Sequence, residues 1–135
     1  MEALTKFATA YPITSKSADE IATKLIDYIC LYSPPKVILS DNGKEFNNQL
    51  VHSLLNFSGI DHKVTAPYWP RVNGGVERVN GLIIDCLKKC AYKNKDEWPS
   101  WIPFVLFCFR TKIHNATKYT PFELMYGRKA NMFLN

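Results

Sequence analysis

Two acidic residues of this 135-residue chain stand where acids can do chemistry, Asp41 and Glu77, with 35 residues between them. Asp41 directly follows Val37-Ile38-Leu39-Ser40, an apolar run that reads as a short buried strand. The carboxyl end of a parallel strand is where open α/β sheets place their ligands. Glu77 follows the proline- and glycine-rich stretch from Tyr68 to Gly75, which reads as a loop, and falls in the first turn of an amphipathic helix. Each acid also has a plainer reading. Asp41-Asn42-Gly43 is a common turn sequence, and an acid in a first helical turn is favoured by the macrodipole alone. Brought to one rim, however, the two would suit Mg²⁺, which takes few carboxylates and fills its shell with water and phosphate oxygens.

The charge distribution is compatible with a phosphate-bearing ligand. Residues 1–70 hold six Lys and Arg against seven Asp and Glu, a net −1, whereas residues 71–135 hold eleven against five, a net +6. A basic lobe suits nucleic acid and equally well a solubilising surface. Cys30, Cys86, Cys90 and Cys108 fall within helical patterns and read as small core residues of a reducing compartment. His52, His62 and His114 show no ligand spacing, so no zinc site is expected. The start Met-Glu-Ala-Leu-Thr-Lys has no signal-peptide pattern, and no apolar run reaches about 18 residues. The expectation is a nuclear or cytoplasmic protein with no membrane partner, in which the Asn56 and Asn115 glycosylation matches are fortuitous.

The elements that must position the two acids alternate between strand and helix. Residues 2–14 read as a strand pair, with Pro12 at an edge. Ser17 to Glu20 matches a capping box before the stripe Ile21, Leu25 and Ile29, with Ala22 and Ile26 beside it. A helix from about Asn48 turns Leu50, Val51, Leu54 and Leu55 inward and stops at Gly59, and Val64-Thr65 makes a brief strand. Val76, Val79, Ile83, Cys86, Leu87 and Cys90 recur at helical spacing, leaving Glu77 and Asn80 off the stripe. Trp101 to Phe109 is a helix apolar nearly all round, with Pro103 in its first turn. The order predicts one α/β domain over residues 1–135, a sheet with helices on its faces.

Four motifs in register decide between the readings: SDNGKEF (40–46), GIDHKVTAPYWPRVNGGVERVN (59–80), WPSWIPFVLFCFRT (98–111) and TPFELMYGRK (120–129). Together they resemble the integrase catalytic core of gypsy-type LTR retrotransposons, which is related to retroviral integrases. The resemblance implies an RNase H-like fold with a mixed sheet flanked by helices. It also implies DNA integration by metal-dependent phosphoryl transfer on an Asp, Asp, Glu triad whose last two members are 35 residues apart. Asp41 would be the second acid and Glu77 the third, together holding Mg²⁺ or Mn²⁺. Asn80 matches a polar position beside the site. Arg71, Asn73 and Gly74 match the flexible DNA-contacting loop, and Lys88 joins them as a nucleic-acid contact. DNA and further copies of the chain are the implied partners.

The family's first acid lies on a strand upstream of the segment matched by MEALTKF, and no residue of this chain matches it. Glu2, 39 residues before Asp41, falls on a non-catalytic position of the second strand. The expectation is therefore a partial core domain, lacking the family's first, central strand and inactive by itself. The missing strand exposes two apolar edges, so either the amino-terminal strands close the gap by pairing with the Val37 strand, or a further segment supplies the strand, or the isolated domain is poorly stable. Gly75 and Gly81 stand where the family has larger or basic residues, which costs helix stability. Two other readings remain: a domesticated, non-enzymatic module that binds nucleic acid or protein, and a relic with no function.

Overall fold

In the computed structural model, residues 1–65 and 70–133 are described, with residues 70–73 described by backbone alone. The chain divides into two compact units: Ile13–Asn73, and Met1–Pro12 with Gly74–Asn135.

In the first unit, α1 (Ala18–Tyr32) begins where the Ser17 hydroxyl accepts the Glu20 N–H at 3.3 Å. Glu20 does not close a capping box on Ser17. Its carboxylate reaches further back, accepting the Thr14 and Ser15 N–H groups, each at 2.7 Å, and the Ser15 hydroxyl at 2.8 Å. These bonds, the one from the Thr14 N–H foremost, lower its pKa to about 2. The helix stops at Tyr32, where Ser33 takes a φ of 71° and Pro34-Pro35 follow. Strand β1 (Val37–Ser40) leads to α2 (Gln49–Phe57), whose Asn48 cap accepts the Val51 N–H at 3.0 Å. Gly59, at a φ of 68°, turns the chain into β2 (Asp61–Val64).

Because β1 and β2 are joined through α2, they pair in parallel, Val37 opposite Asp61 and Ser40 opposite Val64. The core of this unit is Val51, Leu55 and Ile60, with Ile21, Leu25 and Ile29 of α1 and Ile38 of β1 packed against it. Ile26 and Leu50 are exposed, contrary to the inward placement expected for Leu50. The Val37-Ile38-Leu39 run is also not buried on both faces. Ile38 meets the helices, whereas Val37 and Leu39 are 43% and 52% exposed, because both helices of the unit lie on the Ile38 side.

The second unit opens without the expected hairpin. Residues 2–14 form no strand, and the sheet of the described residues is β1 with β2 alone, so no amino-terminal strand pairs with the Val37 strand. The backbone of this segment is held otherwise. The Glu2 N–H bonds the Phe7 carbonyl at 2.9 Å around Lys6, at a φ of 62°, and the Ala8 carbonyl accepts Arg110 Nε at 2.8 Å. The Arg110 guanidinium also lies 4.1 Å from the centre of the Phe7 ring.

Helix α3 (Pro70–Cys90) begins seven residues before Glu77. The expected flexible loop is helical from Pro70 onward, a residue whose fixed φ suits a first helical position. A short 3₁₀ turn (Lys95–Glu97) precedes α4 (Trp98–Thr111), and α5 (Pro121–Tyr126) starts in a complete Thr120/Glu123 capping box. Val79 and Ile83 of α3 bury against Ala8 and against Ile102, Val105 and Leu106 of α4, with Leu87 and Cys90 beside them. Helix α4 is not buried all round: Phe104, although stacked on Phe133, is 45% exposed, and Pro103 lies inside the helix, not in its first turn. Cys30, Cys86 and Cys108 are exposed and so are not core residues, whereas Cys90 is half-buried against the core. Cys86 sits on the flank of a stripe that runs Val79, Ile83, Leu87 and Cys90.

Two outcomes follow. Gly81 is helical with open space where a Cβ would stand, so Gly81→Ala is expected to stabilise the chain by roughly 0.5–1 kcal/mol in urea unfolding. Glu20 has its carboxyl near 2 in the fold against an ordinary value of 4.5, so its support is complete above pH 4.5 and lost as pH falls through 2. The difference in thermal midpoint between wild type and Glu20→Gln should be largest above the upper value and close toward the lower.

Candidate active site

Asp41 is the first residue past the carboxyl end of β1, and its side chain is exposed. The Asp-Asn-Gly turn reading holds as well: Asp41 Oδ1 accepts the Gly43 N–H at 3.2 Å. The turn folds a second carboxylate back beside the first. A Cβ on Gly43 would stand 2.6 Å from Glu45 Oε2 and 3.1 Å from Asp41 Oδ1, so a side chain there would displace the acids. Glu45 meets Lys16 at 3.9 Å.

A hydrogen-bonded circuit surrounds the turn. Asn47 Nδ2 donates to Asn42 Oδ1 at 3.3 Å, and Asn47 Oδ1 lies 3.1 Å from His52 Nε2. The His52 ring lies 5.4 Å, centre to centre, from the His62 ring on β2. His62 Nε2 is 2.9 Å from Ser40 Oγ, and that hydroxyl is 2.8 Å from the Asp41 carbonyl oxygen. Thr65 closes the strand end, its N–H and hydroxyl reaching the Ser40 carbonyl at 2.8 and 3.1 Å. Burial first, then neighbouring His52, lowers the His62 pKa, with Asp61 opposing. Composition and spacing gave no hint of this circuit. The signal that could have found it is strand parity: with Ser40 opposite Val64, His62 is two residues back and on the same face.

The other predicted residues belong to the second unit. Glu77 is exposed on α3, inside the helix and not in its first turn, since the helix starts at Pro70. Asn80, one turn on, lines a cavity of about 240 Å³ with Ala8, Tyr11, Val79 and Ile102. Gly74 is helical, with open space at its Cβ position. Lys88 lies in the last turn of α3, 3.9 Å from Asp85. The side chains of Arg71 and Asn73 lie outside the described residues. Glu2 caps a turn within its own segment. Its two carboxylate oxygens accept the Leu4 N–H at 3.0 Å and the Thr5 N–H and hydroxyl. Burial acts to raise its pKa, but the bonds from Thr5 and Leu4 outweigh it and the net shift is downward. Among the described residues, no three His, Cys, Asp or Glu side chains gather into a metal-binding group, and no helix is long and apolar enough to cross a membrane.

The chain superposes on the catalytic core domain of BIV integrase with a TM-score of 0.76 at 23% identity, covering 91% of this chain and 80% of that one. It superposes on the HTLV-2 integrase catalytic core, described in complex with magnesium in a trimeric form, with a TM-score of 0.68 at 22% identity, covering 83% and 72%. The fold is therefore the RNase H-like fold of integrase catalytic cores, with the α/β arrangement expected from the sequence. No family model matches the chain. Its sequence relatives include the retrovirus-related Pol polyprotein of transposon 412 from Drosophila melanogaster, 28% identical over 130 residues and 96% of this chain. The Gag-Pol polyprotein of feline leukemia virus is 35% identical over 123 residues and 90% of this chain. The chain spans 10% and 7% of those polyproteins. The chain thus has the fold of retroviral integrase catalytic cores and is related in sequence to retroviral and transposon Pol polyproteins.

Gly43→Ala tests how tightly the turn is drawn. The group in closest conflict is the far end of the Glu45 side chain, which can swing away. The substitution is expected to change unfolding free energy in urea by less than about 1 kcal/mol.

Proposed function

We propose that this chain supplies Asp41 and Glu77 to the divalent-metal site of a DNA strand-joining centre, and its basic carboxyl-terminal half to the surface that holds the DNA. The observation that carries the reading is the place of Asp41, exposed and first past the end of a parallel strand in an integrase-core fold. The residues fit the ion by donor chemistry. Asp41 offers hard oxygens at an exposed turn, and Mg²⁺ is content with one or two carboxylates beside water and phosphate. The HTLV-2 core, described with magnesium, lends support.

In this reading Asp41 and Glu77 are the two matched acids that would hold the ion. Bound there, Mg²⁺ would supply charge stabilisation for phosphoryl transfer. Asp41 and Glu77 bind and orient it. Asn80 hydrogen-bonds beside the acids, while Arg71, Asn73, Gly74 and Lys88 engage the DNA backbone. The family's chemistry uses three acids and two match in these 135 residues, so this chain alone is expected not to join strands. A second reading, a DNA-binding module without chemistry, draws on the +6 charge of residues 71–135.

Mn²⁺ titration followed by electron paramagnetic resonance tests whether the two acids hold the ion. Asp41→Asn and Glu77→Gln should each weaken binding by about tenfold or more, a change of ~1.4 kcal/mol. An unchanged affinity in Glu77→Gln would remove Glu77 from the site. DNA binding by the wild type should weaken as salt rises, and Lys88→Ala should reduce the salt slope by about one. A flat salt response would dismiss the basic surface, and measurable strand joining by this chain alone would overturn its inactivity.

A further inference from the structure

We propose that His62, held as the neutral tautomer protonated on Nε2, is a positioning residue that orients Asp41 through the Ser40 hydroxyl. The argument starts from a proton count. Ser40 Oγ has one hydrogen and two neighbours able to accept it, the Asp41 carbonyl at 2.8 Å and His62 Nε2 at 2.9 Å. If the hydroxyl donated to Nε2, the imidazole proton would have to sit on Nδ1. That atom is buried and has no hydrogen-bond partner among the described residues. A buried N–H without an acceptor costs more than an acceptor left unused. The proton therefore stays on Nε2, which donates to Ser40 Oγ, and Ser40 passes its own hydrogen to the Asp41 carbonyl.

The direction of this relay matters because Asp41 is the first residue beyond the ladder. Up to Ser40 the backbone is fixed by pairing with β2 and by two Thr65 donors on the Ser40 carbonyl. Past it, the relay from His62 fixes the peptide that follows Asp41, and with it the direction in which the Asp41 carboxylate leaves the strand. The groups around the imidazole are His52 from α2, Ser40 from β1, and Asp61 on its own strand. The lowered His62 pKa agrees with a ring kept neutral.

The importance of this orientation for metal binding rests on the proposed role of Asp41, but the relay is testable without it. Long-range proton–nitrogen spectra of the labelled full chain should show His62 protonated on Nε2 and bare on Nδ1. Protonation on Nδ1 overturns the proposal. Ser40→Ala and His62→Leu should each displace the Asp41 carbonyl carbon resonance, and the double variant should displace it no further. His62→Gln, whose amide can place an N–H near the Nε2 position, should bring it back toward wild type. A folded His62→Leu chain with an unmoved Asp41 resonance, or no recovery in His62→Gln, also overturns it. Should His62→Leu fail to fold, the wild-type tautomer and the Ser40→Ala displacement decide. Mg²⁺ separates the two ideas: a wild-type chain with the expected relay and no response to Mg²⁺ refutes the metal-site reading and leaves the role of His62 standing.

Discussion

The site depends on the parallel pairing of β1 with β2. A four-residue strand has few ladder bonds, and these two are kept in register by the core behind them: Ile38 and Ile60 close on Val51 and Leu55, over the α1 stripe. Register decides more than stability here. A slip of one residue would turn Ile38 away from that core and part His62 from Ser40, because side chains alternate between faces. The burial that holds the strand pair and the polar contacts that direct Asp41 are consequences of one alignment.

The same unit shows how an exposed acid can be displayed without an ion-pair partner. Asp41 spends one oxygen on the Gly43 N–H within its own turn, and its backbone is steadied by Ser40 and Thr65. No Lys or Arg forms an ion pair with it among the described residues; the nearby basic contact, Lys16, goes to Glu45. The neighbouring circuit runs through Asn42, Asn47, His52 and His62, and none of its contacts occupies the Asp41 carboxylate.

The second unit solves a different problem, fixing an amino-terminal segment that joins no sheet among the described residues. Residues 7 and 8 are almost fully buried, and a buried backbone carbonyl needs a donor. Arg110, at the end of α4, meets the need at Ala8 and lays its guanidinium on Phe7, whose ring stands edge-on to Tyr126 of α5. A cation from a helix about a hundred residues away thus supplies the donor that a neighbouring strand would supply, and residues 7–13 join no sheet.

Local chemistry was legible in the sequence. The Ser17 cap, the helix start near Asn48, the Ile21/Leu25/Ile29 and Val79/Ile83/Leu87 stripes, the Gly59 stop and the strand ending before Asp41 all follow from side chains acting within a few residues of themselves. The integrase resemblance was equally open, since motif spacing is a property of the chain. What the tertiary structure decided was everything that needed a partner from elsewhere. Whether Val37 and Leu39 would be covered, whether residues 2–14 would find a ladder, and which side of α4 would stay wet depended on neighbouring layers. The start of α3 at Pro70 was hidden because glycines that normally mark a loop can remain helical when the turns after them are anchored by Val79 and Ile83. His62 was unreadable for the plainest reason: a hydrogen bond to Ser40 crosses 22 positions of sequence, and only the strand register brings its two ends together.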